Sequence, residues 1–546
     1  MLNIKKLIPF IIFFSSIIFT NKLIFLFFDI TNSPDFTSYF SYIDFFFLNI
    51  DSVQREQGLF YFYLISASIK FFNTFFIFSE TTFLLNKAIY TMNNLIYLYG
   101  LIGYYFLLRN FNFSKKIIFI SLTFLNFFPV ALTLRMTLKP EIVAFAFIPW
   151  LILFFEKYLK TKKIFFLFFN VPFISLLLTS KGSIAVITGV FFVILYLKKL
   201  ILSNKKYFLY FFIFSIAVTF LINFENNTFG VDNIFNIKSG VGENISLDAS
   251  KYNNKASPSI SYRVNLFKLF TSPIKDEHSD SLLAIILLDT FGDYFNLYWN
   301  NNDSLFLKNR KEIINTEITD ELKFAYFDKD SILIIPVQKE TDLYLRPTIS
   351  LFMGILFFLL LIINVFKNAK YKYFLSSPII GILIILIHVI SGIPKNNFDP
   401  NTGDTLKPYY YSYFLCLALV FLVLNYLDYN FKISISLLPY VFLILFIIGF
   451  PKDISLQKDK LLEINQNSFM CSINKNLIEH DSSYAECKVS YNHEKIQNIP
   501  NFSNKIFNPI FNLLNLILII VISTYYIVFL YLKNFFFFKR SGFKNY

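Results

Sequence analysis

The sequence predicts an all-α polytopic membrane protein of about twelve transmembrane helices. Helices at the outer interface and one large non-cytoplasmic loop complete it. Three observations predict this class. Of 546 residues, 55% are hydrophobic and only 16% are charged, where a soluble chain carries about 25% charged residues. The apolar residues fall into runs close to the ~20 that a helix needs to cross a ~30 Å hydrocarbon core. Basic residues gather in alternate connections between these runs, the asymmetry that orients membrane helices. Together these features exclude a soluble enzyme and a disordered chain. With only three Cys, a disulfide scaffold is excluded as well.

The apolar runs lie at 7–28, 86–108, 117–134, 141–156, 164–180, 182–197, 206–224, 347–366, 373–393, 409–427, 433–450 and 508–532. Backbone polar groups must be satisfied internally in hydrocarbon, so runs of this length are helices. Barrel strands would instead alternate over about ten residues. The first run lacks a small-residue cleavage site and is read as a span rather than a cleaved signal. The 75 Phe accompany abundant Ile, Asn, Lys and Tyr and scarce Ala, Gly and Arg. An AT-rich genome produces that bias. The Phe stripes are therefore read as lipid-facing or core filler, not as an aromatic binding platform.

The basic connections carry Lys5 and Lys6; Arg109, Lys115 and Lys116; Lys157, Lys160, Lys162 and Lys163; Lys198, Lys199, Lys205 and Lys206. The alternation continues with Lys367, Lys370 and Lys372, then Lys432, then Lys533, Lys539, Arg540 and Lys544. These 21 basic residues face two acids, Glu156 and Asp428, while the rest of the chain holds 29 basic and 34 acidic residues. The formal +14 thus divides into +19 on one side and −5 elsewhere. The basic side is assigned to the cytoplasm together with both termini, so the positive charge reports topology and not nucleic-acid binding. Two further apolar stretches, 58–78 and 281–299, would invert every later loop if either alone were counted as a span. Both are read as helices at the outer interface.

Five regions follow. Residues 1–224 form an N-terminal membrane module of about seven spans, with its first outer loop at 29–85. Residues 225–346 form a non-cytoplasmic loop region that includes 281–299. Residues 347–450 form a second membrane module, 451–507 an outer loop, and 508–546 the last span with a basic tail. Cys471 and Cys487 both lie in the late outer loop, where a disulfide or two thiols are the alternatives. The four His are scattered, and no CxxC, HExxH, GxGxxG or Walker motif occurs. No metal site is expected from the spacing, while dependence on a divalent cation stays open.

Candidate chemistry is concentrated on the outer side. In the first loop, Asp35, Tyr39 and Tyr42 recur three to four residues apart and would share a helix face, with Asp44 just beyond. A carboxylate held by aromatics at the membrane boundary suits a general base. Its ordinary reading is that acids collect outside because bases collect inside. Arg135, Lys139 and Glu141 cluster around an outer turn, where Pro140 suits a first helical turn and Glu141 its positive N-terminal end. Arg offers a rigid fork for phosphate or carboxylate, and the chain contains only seven. Lys407 and Tyr410 precede a late span. Asp289 and Asp293 lie four apart in 281–299, able to hold an acceptor or to form a wet helix edge.

The order of these features resembles the integral-membrane C-type-fold glycosyltransferases. That group includes protein O-mannosyltransferases, lipid A aminoarabinose transferases and rhizobial lipopolysaccharide sugar transferases. The similarity runs through the first-loop Asp, the segment Gln57-Gly58-Leu59-Phe60-Tyr61, the turn at Arg135, and Lys407-Pro408-Tyr409-Tyr410. It is clearest over 1–165, weaker at 281–300 and 395–412, and is not traced through 415–546. It implies an inverting hexosyl or pentosyl transferase with a polyprenyl-phosphate sugar donor and a lipid, glycan or protein acceptor. It places the protein in a bacterial inner or plasma membrane. Asp35 would be the base, with Asp44 as its alternative. Arg135, Lys139, Lys407 and Tyr410 would serve the donor phosphate. Tyr39, Tyr42, Glu141, Asp289 and Asp293 would serve the acceptor or support the site. Membrane lipids are the surrounding partners; nucleic acid is not. The competing readings are a multi-span transporter or lipid-linked-sugar flippase, and a polysaccharide polymerase or ligase.

Overall fold

The computed structural model describes residues 4–27, 39, 42–43, 58, 60–75, 81–203, 205–224, 266–271, 282–291, 340–367, 371–391, 408–427 and 520–530. All regular structure among them is helical. The N-terminal half contains α1 (Ile4–Phe27), α2 (Phe60–Phe75), α3 (Thr81–Asn110), α4 (Lys115–Phe127), α5 (Pro129–Met136), α6 (Glu141–Thr161), α7 (Ile164–Phe168), α8 (Asn170–Leu178), α9 (Gly182–Ser203) and α10 (Lys205–Phe224). Then come α11 (Leu266–Thr271), α12 (Leu282–Asp289), α13 (Glu340–Lys367), α14 (Lys372–Leu375) and α15 (Ser377–Ser391). A 3₁₀ turn, Pro408–Tyr411, leads into α16 (Ser412–Leu427), and α17 covers Ile520–Leu530.

Glu141–Thr161, Gly182–Lys199 and Thr348–Lys367 are long and apolar enough to cross a membrane. The pair α4–α5 makes a fourth if counted as one span, bent by 62°. Shorter apolar helices occupy Leu7–Lys22, Ile164–Leu178, Leu209–Val218, Ser377–Ile387, Ser412–Leu427 and Ile520–Leu530. Helix also covers the apolar run at 86–108, within α3. The run at 433–450 lies outside the described residues. The surfaces agree with a lipid solvent. Phe10, Ile11, Ile18 and Phe19 of α1, Leu209, Tyr210, Phe212 and Ile213 of α10, and Phe352, Leu356 and Leu359 of α13 are all exposed. Contiguous apolar faces of this kind suit hydrocarbon, not water.

Helix α6 is the central pillar. Its first turn starts at Pro140 and Glu141, and it is buried almost throughout to Tyr158. It runs against α3, where Trp150 donates its indole N–H to the Tyr99 carbonyl at 3.2 Å and Tyr97 stacks on Phe145 at 4.8 Å. Gly103 permits this approach, since a Cβ there would lie 2.7 Å from Trp150 Nε1. Small residues at such a crossing let membrane helices pack closely. At the basic end, α3 stops in a turn with Asn112 at φ 67°, and Arg109 donates to the Phe113 carbonyl at 3.0 Å. Ser114 then caps α4, and Lys160 of α6 reaches the Asn110 carbonyl at 2.9 Å. The basic connections at 109–116 and 157–163 therefore meet at one end of the bundle.

Chain breaks have local causes. The bend between α4 and α5 sits at Phe128, extended at φ −68°, ψ 124°, followed by Pro129 at the first position of α5. Pro lacks the N–H that would continue the ladder. Phe128 is enclosed by Phe291 at 5.3 Å and Phe357 at 6.0 Å. Within the segment at 58–78 the 16-residue α2 is packed on α3, with Ser68 donating to the Ala88 carbonyl at 2.8 Å. Within the segment at 281–299 the described residues form a helix, Leu282–Asp289, followed by a turn at Thr290–Phe291. Asp289 therefore ends the helix, and Asp293 lies outside the described residues. Phe291 is buried, docking this segment on α13 and the α4–α5 bend.

Candidate functional site

The bundle end opposite the basic connections gathers five chain segments: Tyr39 and Tyr42, Gly58 with the start of α2, the turn from Thr137 to Glu141, the turn from Thr179 to Lys181, and the start of α16 with its preceding 3₁₀ turn. The joints between them are specific. Gly58 N–H donates to the Ser180 carbonyl at 3.1 Å and Phe60 N–H to the Thr179 carbonyl at 3.3 Å. A Cβ at position 58 would overlap the Thr179 carbonyl, so only glycine permits this approach. Tyr61 donates to Asn93 Oδ1 at 2.8 Å, and Asn93 Nδ2 donates to the carbonyls of Arg135 at 3.1 Å and Thr137 at 3.0 Å. These bonds tie α2 and α3 to the turn that carries Lys139 and Glu141. Burial pushes the Tyr61 hydroxyl well above its usual pKa, the Asn93 bond acting the other way, so it stays a protonated donor.

At the centre of this region lies an ion pair. Lys181 Nζ is 2.6 Å from Glu141 Oε1, and both side chains are buried. Lys181 also donates to the Tyr39 hydroxyl at 3.3 Å and sits 4.7 Å from the centre of the Tyr410 ring. Lys139, itself buried, approaches the same Tyr39 ring at 5.7 Å. Tyr39 and Tyr42 both stack on Phe62 of α2, at 5.7 and 4.8 Å. Burial alone would lower the Lys181 pKa. The adjacent Glu141 carboxylate, aided by Tyr39 and Tyr410, overrides it and holds the value well above the usual lysine range. Among the described residues the second Glu141 oxygen, Oε2, has no hydrogen-bond partner. The cluster thus presents two ammonium groups, one carboxylate and a tyrosine wall, a set suited to an anion and to hydroxyl groups.

Among the sequence candidates, Tyr39, Tyr42, Lys139, Glu141 and Tyr410 come together here. Arg135 is placed elsewhere. Its guanidinium is fully buried one layer deeper, donating to Thr20 Oγ1 at 3.0 Å, Asn21 Oδ1 at 3.1 Å and the Asn126 carbonyl at 3.3 Å. It also lies 4.6 Å from the Tyr97 ring centre. Asn126 extends this network, donating to Ser16 at 2.8 Å and accepting from Tyr97 at 2.9 Å. Arg135 therefore locks α1 to α4 and α5. Asp35, Asp44, Lys407, Asp293, Cys471 and Cys487 lie outside the described residues, as does the side chain of Asp289. Tyr39 and Tyr42 are seated on the cluster, and Asp35 and Asp44 flank them in the sequence.

Lys181 is the residue sequence reasoning missed. It is one of the 29 basic residues outside the basic connections, and nothing in its sequence neighbourhood marks it out from the others. Among the described residues no group of three or more His, Cys, Asp or Glu converges. The one carboxylate of the cluster is engaged by Lys181. No family of proteins, characterised protein sequence or solved structure matches the chain.

Proposed function

We propose that this protein is a membrane-embedded glycosyltransferase. It moves a sugar from a polyprenyl-phosphate donor to a lipid, glycan or protein acceptor at the outer membrane face. The observation that carries this reading is the buried cluster of Lys139, Glu141 and Lys181 beneath Tyr39, at the bundle end opposite the basic connections. A lipid phosphate needs cations at the bilayer edge, and its departure from the sugar develops negative charge that preorganised cations stabilise. In the proposal Lys181, Lys139 and Lys407 supply that charge, with Tyr410 beside them. Arg135 supports the turn that carries Lys139 and Glu141. Asp35 or Asp44, on the loop that Tyr39 and Tyr42 seat, removes the acceptor proton as the hydroxyl attacks the anomeric carbon with inversion. The about twelve spans and the C-type layout belong to this reading.

A transporter or flippase would set its working charges within the bundle near the midplane. Here the ion pair stands at helix ends, Glu141 opening α6 and Lys181 just before α9, which favours chemistry at the interface. The test is sugar transfer from a polyprenyl-phosphate sugar by the purified protein in lipid nanodiscs. Transfer by the wild type, lost in Asp35→Asn or Asp44→Asn without a change in melting temperature, supports the proposal and selects the base. Undiminished transfer in both variants would rule out both carboxylates.

A further inference from the structure

Helices α6, α9 and α10 meet near the basic end of the bundle. Phe155 of α6 stacks on Tyr196 of α9 at 5.1 Å and meets Phe211 of α10 edge-on at 5.9 Å. Tyr196 donates its hydroxyl to Glu156 Oε1 at 3.0 Å. Helices α6 and α9 run in the same direction, because the Glu141–Lys181 pair joins their starts and the Glu156–Tyr196 bond their far ends. The lysines beyond this joint therefore emerge together: Lys162 and Lys163 after α6, Lys198 and Lys199 near the end of α9. Lys206 stands in the first turn of α10, which returns past them. All five are exposed. The sequence holds no Asp or Glu between Glu156 and Glu225, and Glu156 already accepts from Tyr196. The three helices thus bring five ammonium groups to one corner and supply there no carboxylate but Glu156.

Apolar faces lead away from the same corner. On α9, Val190, Val193 and Ile194 are exposed, and on the adjoining α10 Leu209, Phe212 and Ile213. Ile194 lies about one turn from Lys198, and Leu209 about one turn from Lys206. Tyr207 and Tyr210 are exposed at the start of α10, and tyrosine favours the level of the lipid headgroups. The order along the surface is cation, tyrosine, hydrocarbon face. A soluble anion would use only the lysines, and an acidic protein segment would leave the apolar faces bare. A phospholipid satisfies both parts, with its phosphate on the lysines and its acyl chains along α9 and α10. Basic clusters at the ends of membrane helices hold anionic headgroups in this way. A zwitterionic headgroup would bring a further ammonium group against the five, so a net negative one fits better.

We infer that the α6–α7 turn and the α9–α10 connection form a binding site for an anionic phospholipid of the surrounding bilayer. Lys162, Lys163, Lys198, Lys199 and Lys206 hold the phosphate, and the chains lie along α9 and α10. The site stands at the bundle end opposite the Glu141–Lys181 cluster. It goes beyond the glycosyltransferase reading, because it needs only that these helices lie in a membrane. Its occupant is a resident lipid, gripping the far end of the helix that opens just after Lys181.

The experiment follows lipid binding to the full-length protein in neutral detergent by native mass spectrometry, with a thermal melt as the control for folding. The probes are phosphatidylglycerol, phosphatidylcholine and a polyprenyl phosphate. Each lysine beside an anionic headgroup tightens binding about fivefold, so wild type should bind phosphatidylglycerol at least about tenfold tighter than phosphatidylcholine. The combined variant Lys162→Gln, Lys163→Gln, Lys198→Gln and Lys199→Gln should lose that preference while keeping its phosphatidylcholine affinity and its melting temperature. A control combining Lys115→Gln, Lys116→Gln and Lys372→Gln removes exposed lysines of the same bundle end, on α4 and α14, and should keep the preference. A wild type without preference overturns the inference. Equal loss in both variants overturns it too, since that result marks diffuse attraction to the whole basic end. Tighter binding of polyprenyl phosphate than of phosphatidylglycerol, abolished in the four-lysine variant, would give the corner to a prenyl lipid and overturn the phospholipid assignment. None of these readouts depends on sugar transfer, so the site and the proposed reaction stand or fall separately.

Discussion

Lys181 and Glu141 decide how the cluster responds to substitution. Each is buried, and each is the other's partner at 2.6 Å. Removing one leaves an uncompensated charge in a low-dielectric site, which costs about 3–5 kcal/mol. Lys181→Met should therefore lower thermal stability strongly in a detergent melt. The double variant Lys181→Met with Glu141→Gln should recover most of the loss, and no recovery would mean that packing, not charge, dominates. The pair also has a pH signature. Its folded lysine pKa is raised, so its contribution is complete below the unfolded lysine value of about 10.4 and lost only as pH rises through the higher folded value. Wild type and the double variant should keep a constant stability difference from pH 7 to 10, and the difference should shrink only above that. Of these residues, Lys139 and Glu141 were legible from the turn between two apolar runs, Tyr39 and Tyr42 from their helical spacing, and Tyr410 from its place before a late span. Lys181 was not legible, because a lone lysine in a short connection between two apolar runs carries no pattern, and its partner Glu141 lies 40 positions away.

At the scale of elements, the site exists because separate helices are clamped. The α8–α9 turn carries Lys181, and the approach of Gly58 to Thr179 and Ser180 fixes where that turn stands relative to α2. Gly58→Ala should force the two backbones apart and loosen the Tyr39 contact with Lys181. The expected result is at least tenfold lower transfer activity in the purified protein, with a modest fall in melting temperature, because the obstacle is backbone and cannot swing aside. Wild-type activity would show that the clamp does not position Lys181. Arg135 does the corresponding work deeper down. Arg135→Leu removes three hydrogen bonds from a charged donor to α1 and α4 and should destabilise by several times the ~1 kcal/mol of an ordinary bond. The helices themselves were readable from apolar length, but these clamps were not. Thr20, Asn21 and Asn126 are common small polar residues, and Thr20 bonds to Arg135 across 115 positions. The Phe128–Phe291–Phe357 contact is invisible for another reason: with 75 Phe in the chain, no single one stands out.

At the scale of the whole molecule, the bundle geometry sets the cluster at the end opposite the basic connections of the N-terminal half. The chain reverses between the basic connections and the cluster. Helix α6 runs from Glu141 to Lys160, and α9 from just past Lys181 to Lys198 and Lys199, so the cluster and the basic residues stand at opposite ends. If the basic end is cytoplasmic, the cluster faces outward, where a lipid-linked sugar donor and an extracytoplasmic acceptor would meet. This is testable without any substrate. In a background with Cys416, Cys471 and Cys487 replaced by Ser, a single Lys163→Cys should react with a membrane-impermeant maleimide only after the cells are permeabilised. A single Lys70→Cys should react in intact cells, since Lys70 is exposed on α2 at the cluster end. The reverse pattern would place Glu141 and Lys181 at the cytoplasmic face. The donor would then have to be a sugar presented inside the cell, and an outer-face transferase would no longer be tenable.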